Sequence, residues 1–256
     1  MRSQVLRPPY VYRWAVLIAS TVLLVALALQ ALQPDPVVAD RANVAPSAAP
    51  VRKPAPVAPD VVRQLRTTDK VVALTFDDGP HQDYTRQVLE VLADHHAVAT
   101  FCMVGKQVRE HPDVVREVVD AGMRLCNHTV SHDEQLSRRS AAAIERELVE
   151  ASDLLRDAAG DDVGIRYFRA PGGNWTPTLE HTAARHGMRP LGWSVDPRDW
   201  SRPGVAKIVA AVRQNVRPGS VILLHDGGGR RDQTVAALRI LLPWLAGQGY
   251  RFDFPG

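Results

Sequence analysis

What the chain lacks narrows the field first. Its 256 residues carry a formal net charge of +3, yet no run of basic residues is interleaved with aromatics. Positive charge is spread thinly and mostly as arginine. That argues against nucleic acid as a partner and leaves plain solubility, or a mild attraction to an anionic polymer such as a cell wall. No glycine-rich dinucleotide fingerprint follows the first strand-like segment, which weakens a Rossmann reading. No internal repeat is visible. Cysteine is scarce, with only Cys102 and Cys126. Outside the cytoplasm such a pair is often a disulfide. Each falls in a short apolar segment, ATFCMV and MRLC, that reads as a strand. Neighbouring strands at about 4.8 Å would suit a bridge if both side chains face one way; otherwise two buried thiols result.

What is present begins with an export signature. Arg2, Arg7 and Arg13 precede the apolar run WAVLIASTVLLVALAL at residues 14–29, which continues weakly to residue 32. Its length falls between a signal core of about 7–15 residues and a spanning helix of about 20. Val37-Val38-Ala39 and Ala26-Leu27-Ala28 both resemble small-residue cleavage sites. An uncleaved membrane anchor and a cleaved signal both fit, and either puts the remainder outside the cytoplasm. Residues 33–60 then hold seven prolines, many alanines and few large apolar residues. Such a segment buries too little surface to fold and stays extended. The expected organisation is a signal or anchor at 1–32, a Pro/Ala-rich linker at 33–66 and a folded domain at 67–256.

From residue 67 onward strand-like and helix-like segments alternate. VVALT (71–75), ATFCMV (99–104), IRYFRA (165–170), LGWSV (191–195), VILLH (221–225) and YRFDF (250–254) read as strands, with MRLC (123–126) between the second and third. Helices are expected over 83–94, over 111–122 opened by Pro112, after the N-cap Ser140, from Thr176-Pro177 to Gly187, around Val205–Val212, and over 234–248. Alternation of this kind implies an α/β fold with a parallel sheet covered by helices. About seven parallel strands in some 190 residues suit a (β/α) barrel better than an open doubly wound sheet. In such a barrel, functional residues sit at the C-terminal ends of strands.

Five strands end in ionisable groups: Asp77 and Asp78; His128 and His132; Arg169; Asp196 and Asp199; His225 and Asp226. His128 and His132, four apart, would share one face of a helical turn. With a carboxylate from a neighbouring strand they make a two-His, one-Asp metal site with an open position. One of Asp77 and Asp78 suffices as ligand, and the other is free to act as general base. Arg169, odd beside a metal, has a use in holding a carboxylate in place. His225 is placed to protonate a leaving group if a carboxylate such as Asp199 raises its pKa. Together these roles describe metal-assisted hydrolysis of an acyl bond.

TFDDGP, H-T-x-x-H, R-A-P-G, D-x-x-D-W and L-L-H-D, in this order and spacing, resemble the five motifs of the polysaccharide deacetylases, the NodB-homology domains of carbohydrate esterase family 4. The resemblance runs over residues 70–254. It implies a distorted (β/α) barrel and a metal, usually zinc with cobalt tolerated. It implies removal of acetyl groups from N-acetylglucosamine polymers such as peptidoglycan or chitin, or of O-acetyl groups from xylan. By motif position, Asp77 would be the base, oriented by Arg169. Asp78, His128 and His132 would hold the metal. His225 would be the acid, tuned by Asp199. Leu223 and Trp200 would line the acetyl-methyl pocket. The expected partners are a glycan substrate and, if the first segment is uncleaved, a membrane; a monomer is expected.

Two positions depart from the pattern. The third motif commonly has an aromatic after its proline, whose N–H helps bind the oxyanion; here it is Gly172, followed by Gly173. The second often has proline after its last histidine, where this chain has Asp133. Trp175 reads either as a sugar-stacking platform or as a cap residue before the Thr176-Pro177 helix, and Trp193, inside a strand, as core. The other six histidines match no motif and read as surface or structural. An inactive carbohydrate-binding module would be expected to lose Asp77, His128, His132 or His225, and all are present. An O-acetyl esterase using the same site is the alternative.

Overall fold

A computed structural model describes residues 55–160 and 162–256. The signal or anchor segment and most of the linker lie outside the described residues. Among the described residues no helix is long and apolar enough to cross a membrane.

Seven strands form one all-parallel sheet: β1 (Val71–Asp77), β2 (Ala99–Met103), β3 (Arg124–Asn127), β4 (Tyr167–Phe168), β5 (Arg189–Pro190), β6 (Val221–His225) and β7 (Arg251–Phe252). Their order is β5-β4-β3-β2-β1-β6, with β7 against the start of β1. The sheet curls until Val195, beyond β5, makes a single parallel bridge to Ile222 of β6. This is the (β/α) barrel the alternation implied, distorted as the resemblance implies, and closed on one side by a bridge instead of a ladder. Every residue of β1 is buried, which explains its unbroken apolar run: a parallel strand here has a covered face on each side.

Helices α1 (Tyr84–Asp94), α2 (Gly105–Glu110), α3 (Pro112–Asp120), α4 (Ala141–Ala159), α5 (Pro177–Arg185), α6 (Val205–Asn215) and α7 (Asp232–Gly247) connect the strands. In α4, Ser140 Oγ accepts the Ala143 N–H at the start, Gly160 ends the helix at φ 104°, and Ile144, Leu148, Ala151 and Leu155 form the buried stripe. Helix α7 contains Pro243 yet buries Leu238, Leu241, Leu242 and Leu245. Burying each leucine contributes about 1.5–3 kcal/mol. Together they outweigh the roughly 3 kcal/mol an interior proline costs.

Side chains alternate across the strands. Leu74, Phe76, Phe101, Met103 and Leu125 join the large core beneath the helices. Ala73, Cys102, Cys126, Tyr167 and Val221 make a smaller cluster on the other face. Cys102 and Cys126 are register partners on β2 and β3, with Cα atoms 4.1 Å apart, and form a disulfide. The pairing continues sideways from Cys102 to Asp77 and from Asp77 to His225. One row of the sheet therefore holds the disulfide and two of the candidate site residues.

Three expectations change. Residues 191–195 are not a strand: the ladder stops at Pro190, and only the bridges Val62↔Leu191 and Val195↔Ile222 remain. Arg63 Cγ lies 2.9 Å from where a Cβ on Gly192 would be, so this stretch packs against an incoming segment. That segment is part of the expected linker. The Val57 N–H donates to Ala184, Val62 to Pro190 and Leu65 to Gly219, so the ordered unit begins before residue 67. Val62 and Leu65, two of the three apolar residues of VVRQL, pack against the disulfide cluster. Finally, α2 is a short helix whose sequence, GKQVRE, offers too little periodicity to be read in advance.

Candidate active site

Asp77 and Asp78 end β1. Strand alternation would send them to opposite faces, but Asp78 adopts the left-handed region at φ 71°, just before Gly79-Pro80. Both carboxylates thereby line one cavity of about 470 Å³ at the C-terminal ends of the strands.

Arg169, fully buried after β4, donates from Nη1 to Asp77 Oδ1 at 2.6 Å. Its Nε donates to the Leu191 carbonyl and its Nη2 to that of Gly192. All three faces of the guanidinium fork are used, which fixes Asp77 from behind and compensates a charge that burial would otherwise make costly.

His128 and His132 follow β3 in a loop and not on a helical turn: Thr129 and His132 have φ of 66° and 55°. Asn127 Oδ1 accepts the Thr129 N–H, and Glu147 Oε2 of α4 accepts those of Val130 and Ser131. This pinning sets the imidazole rings 4.9 Å apart, edge to face. His128 Nδ1 donates to the Arg169 carbonyl at 2.8 Å, which aims Nε2 at the site. Neither Asn127 nor Glu147 was singled out in the sequence, since a loop pinned from a distant helix leaves no local pattern.

Asp78, His128 and His132 place one ligand atom each within 4.8 Å of one another. Asp78 Oδ1 lies 3.2 Å from His132 Nε2 and 3.6 Å from His128 Nε2. It is buried and has no hydrogen-bond partner among the described residues. A buried, orphaned carboxylate oxygen facing two imidazole nitrogens fits a divalent cation. Burial opposes ionisation of Asp78, but the facing imidazole of His128, with those of His225 and His132, holds it well below the usual carboxylate range. Burial, reinforced by His128, lowers the pKa of His132, favouring the neutral form that ligates metal.

His225 ends β6 and lines the same cavity. Its Nδ1 donates to Asp199 Oδ1 at 2.8 Å, its backbone N–H to Asp199 Oδ2 at 2.9 Å, and Thr234 Oγ1 to Asp199 Oδ2 at 2.7 Å. Burial pulls the His225 pKa down, but the hydrogen bond and charge of Asp199 outweigh it, so the net shift is upward.

Leu223 and Trp200 also line the cavity; Trp200 is 44% exposed and carries the Arg198 guanidinium 4.6 Å from its ring centroid. Gly172 has φ 62°, and its N–H has no acceptor among the described residues. The wall beside it is formed by Glu134 and Trp193. Trp193 packs so closely that a Cβ on Gly173 would lie 2.6 Å from its ring. Trp175, by contrast, packs edge-on to Phe168 against the main core and is not among the cavity's lining residues. Trp193, half-buried against the disulfide cluster, thus joins Trp200 as an aromatic flanking the cleft, because residues 191–195 leave the sheet.

The family model described as "Polysaccharide deacetylase" matches residues 64–191. The chain is 44% identical over 189 residues to a chitooligosaccharide deacetylase of Sinorhizobium fredii, covering 70% of this chain and 87% of that relative. The chain belongs to the polysaccharide deacetylase family. A peptidoglycan-N-acetylglucosamine deacetylase of Bacillus cereus is 40% identical over 194 residues, covering 75% of this polysaccharide deacetylase and 89% of the relative. Among solved structures, a carbohydrate esterase family 4 pseudoenzyme from Bacillus anthracis superposes with a TM-score of 0.71 at 26% identity, covering 77% of this chain and 67% of that one. Since a pseudoenzyme shares the fold, activity has to be argued from the side chains present here.

Proposed function

We propose that this deacetylase removes N-acetyl groups from N-acetylglucosamine residues of a chitin-type or peptidoglycan-type glycan and releases acetate. Asp78, His128 and His132 would hold a divalent metal, zinc foremost and cobalt as a substitute, which supplies Lewis acidity to the acetamide carbonyl and the attacking water. Asp77 takes the proton of that water as general base, held in position by Arg169. The Gly172 N–H would hydrogen-bond the oxyanion. His225, kept protonated by Asp199, donates from Nε2 to the departing amine. Leu223 and Trp200 receive the acetyl methyl.

One observation carries this reading. Two proton-transfer groups, each braced by its own partner of opposite charge, open with the candidate metal set onto a single cavity. Acetate release from N-acetylglucosamine oligomers, peptidoglycan and acetylated xylan tests it. Release from the first two supports the N-deacetylase; release from the ester alone would move the function to an O-acetyl esterase. We further read the folded part as a monomer outside the cytoplasm, tethered by residues 14–32 or freed by cleavage, with the Cys102–Cys126 disulfide as support. Mass spectrometry of the mature N-terminus separates the two.

A further inference from the structure

One buried carboxylate has no part in the chemistry above. Asp226, directly after His225, is fully buried. Its Oδ2 accepts the Thr85 hydroxyl at 2.5 Å, and that hydroxyl accepts the His81 N–H at 2.8 Å. Its Oδ1 is buried without a partner among the described residues. The carboxylate lies directly against Gly79: a Cβ there would sit 2.4 Å from Oδ2 and 2.7 Å from Cγ.

The contact is reciprocated by the next two residues. A Cβ on Gly227 would lie 2.0 Å from the Asp78 carbonyl oxygen, and one on Gly228 would lie 2.5 Å from Asp78 Oδ2. The N–H groups of Asp226 and Gly227 donate to the Asp77 carbonyl at 3.1 and 3.3 Å. The turns after β1 and β6 are therefore interlocked, with glycine wherever the other turn approaches. Asp78 sits inside this clasp in the left-handed conformation, which a non-glycine residue keeps only where its surroundings impose it.

We propose that Asp226 is a positioning residue for Asp78. Its carboxylate fills the space under Gly79 and, through Thr85, ties the turn to the first residues of α1, so that Asp78 meets His128 and His132 on the metal side. The role depends on shape and on the Thr85 hydrogen bond. It rests on the reading of Asp78, His128 and His132 as the metal set, and its test separates the two ideas.

The test is calorimetric titration of the metal-free protein with Zn²⁺, alongside thermal denaturation. D226A and G79A should each weaken Zn²⁺ binding by about tenfold or more while the protein stays folded, the loss typical of disturbing the support of a ligand. D226N, of equal shape, should bind within about threefold of wild type. The clash in G79A is with the Asp226 carboxylate itself, so G79A/D226A should bind no more weakly than D226A alone. If D226A does not fold, G79A and D226N still decide. Wild-type affinity in G79A or D226A, or tenfold loss in D226N, overturns the proposal. A wild-type protein that binds no Zn²⁺ overturns the metal set instead.

Discussion

Arg169 Nη1 donates to Asp77 Oδ1 at 2.6 Å, and both side chains are buried. The pair links β4 to β1 across the barrel interior and leaves Asp77 with one oxygen for the cavity. Because the other guanidinium nitrogens are committed to carbonyls of residues 191 and 192, Arg169 also anchors the irregular stretch that carries Trp193.

Lysine cannot reproduce that fork. R169K should keep the fold but lower kcat at least tenfold, since Asp77 loses its fixed orientation. R169A should destabilise the protein by about 3–5 kcal/mol by leaving a buried charge unpaired. Thermal denaturation with acetate release checks both; wild-type kcat in R169K would show that the pair is merely structural.

The His225–Asp199 pair sets a pH limit. In the proposed mechanism His225 acts when protonated, and Asp199 raises its pKa above the ordinary histidine value. Activity should therefore fall as pH rises through that raised pKa. D199N removes the main cause of the shift, so the alkaline limb of the kcat profile should move to lower pH. A limb that stays in place would assign it to another group.

The Cys102–Cys126 bridge closes a loop whose ends are 24 residues apart. Loop-closure entropy assigns such a bridge about 3 kcal/mol. Replacing both cysteines by serine should lower stability by that order. Because Cys102 is Asp77's register partner, turnover well below the melting temperature should also fall severalfold. Denaturant unfolding with kinetics separates the two effects, and unchanged turnover would confine the bridge to stability.

Much of this was legible in the chain because it is written locally. The apolar runs of β1, β2 and β6, the Ser140 cap and the Thr176-Pro177 start each state their element in a few adjacent residues. The candidate site was legible because barrel topology gathers strand ends, so Asp77, His128, Arg169, Asp199 and His225 needed no contact information to be grouped. What escaped is what depends on contacts distant in sequence. Glu147 pins the His128 loop from α4, Trp193 is freed by the bridge at Val195, and Asp226 works through a glycine that leaves no side chain to notice. Residues 57–65 look like linker by composition, yet hydrogen bonds to residues 184, 190 and 219 order them. The left-handed Asp78, which brings two adjacent aspartates to one cavity, has no sequence signal beyond the Gly-Pro after it.

In the proposed mechanism Asp77 serves as base beside a metal it does not need to hold. The most direct measurement is acetate release from N-acetylglucosamine oligomers by wild type and D77N, with bound metal quantified in the same samples. Wild type should release acetate, chelation should abolish release and Zn²⁺ restore it, and D77N should lose at least about a hundredfold, the usual contribution of a general base, while keeping its metal. Wild-type turnover in D77N, or chelator-resistant release, would contradict it.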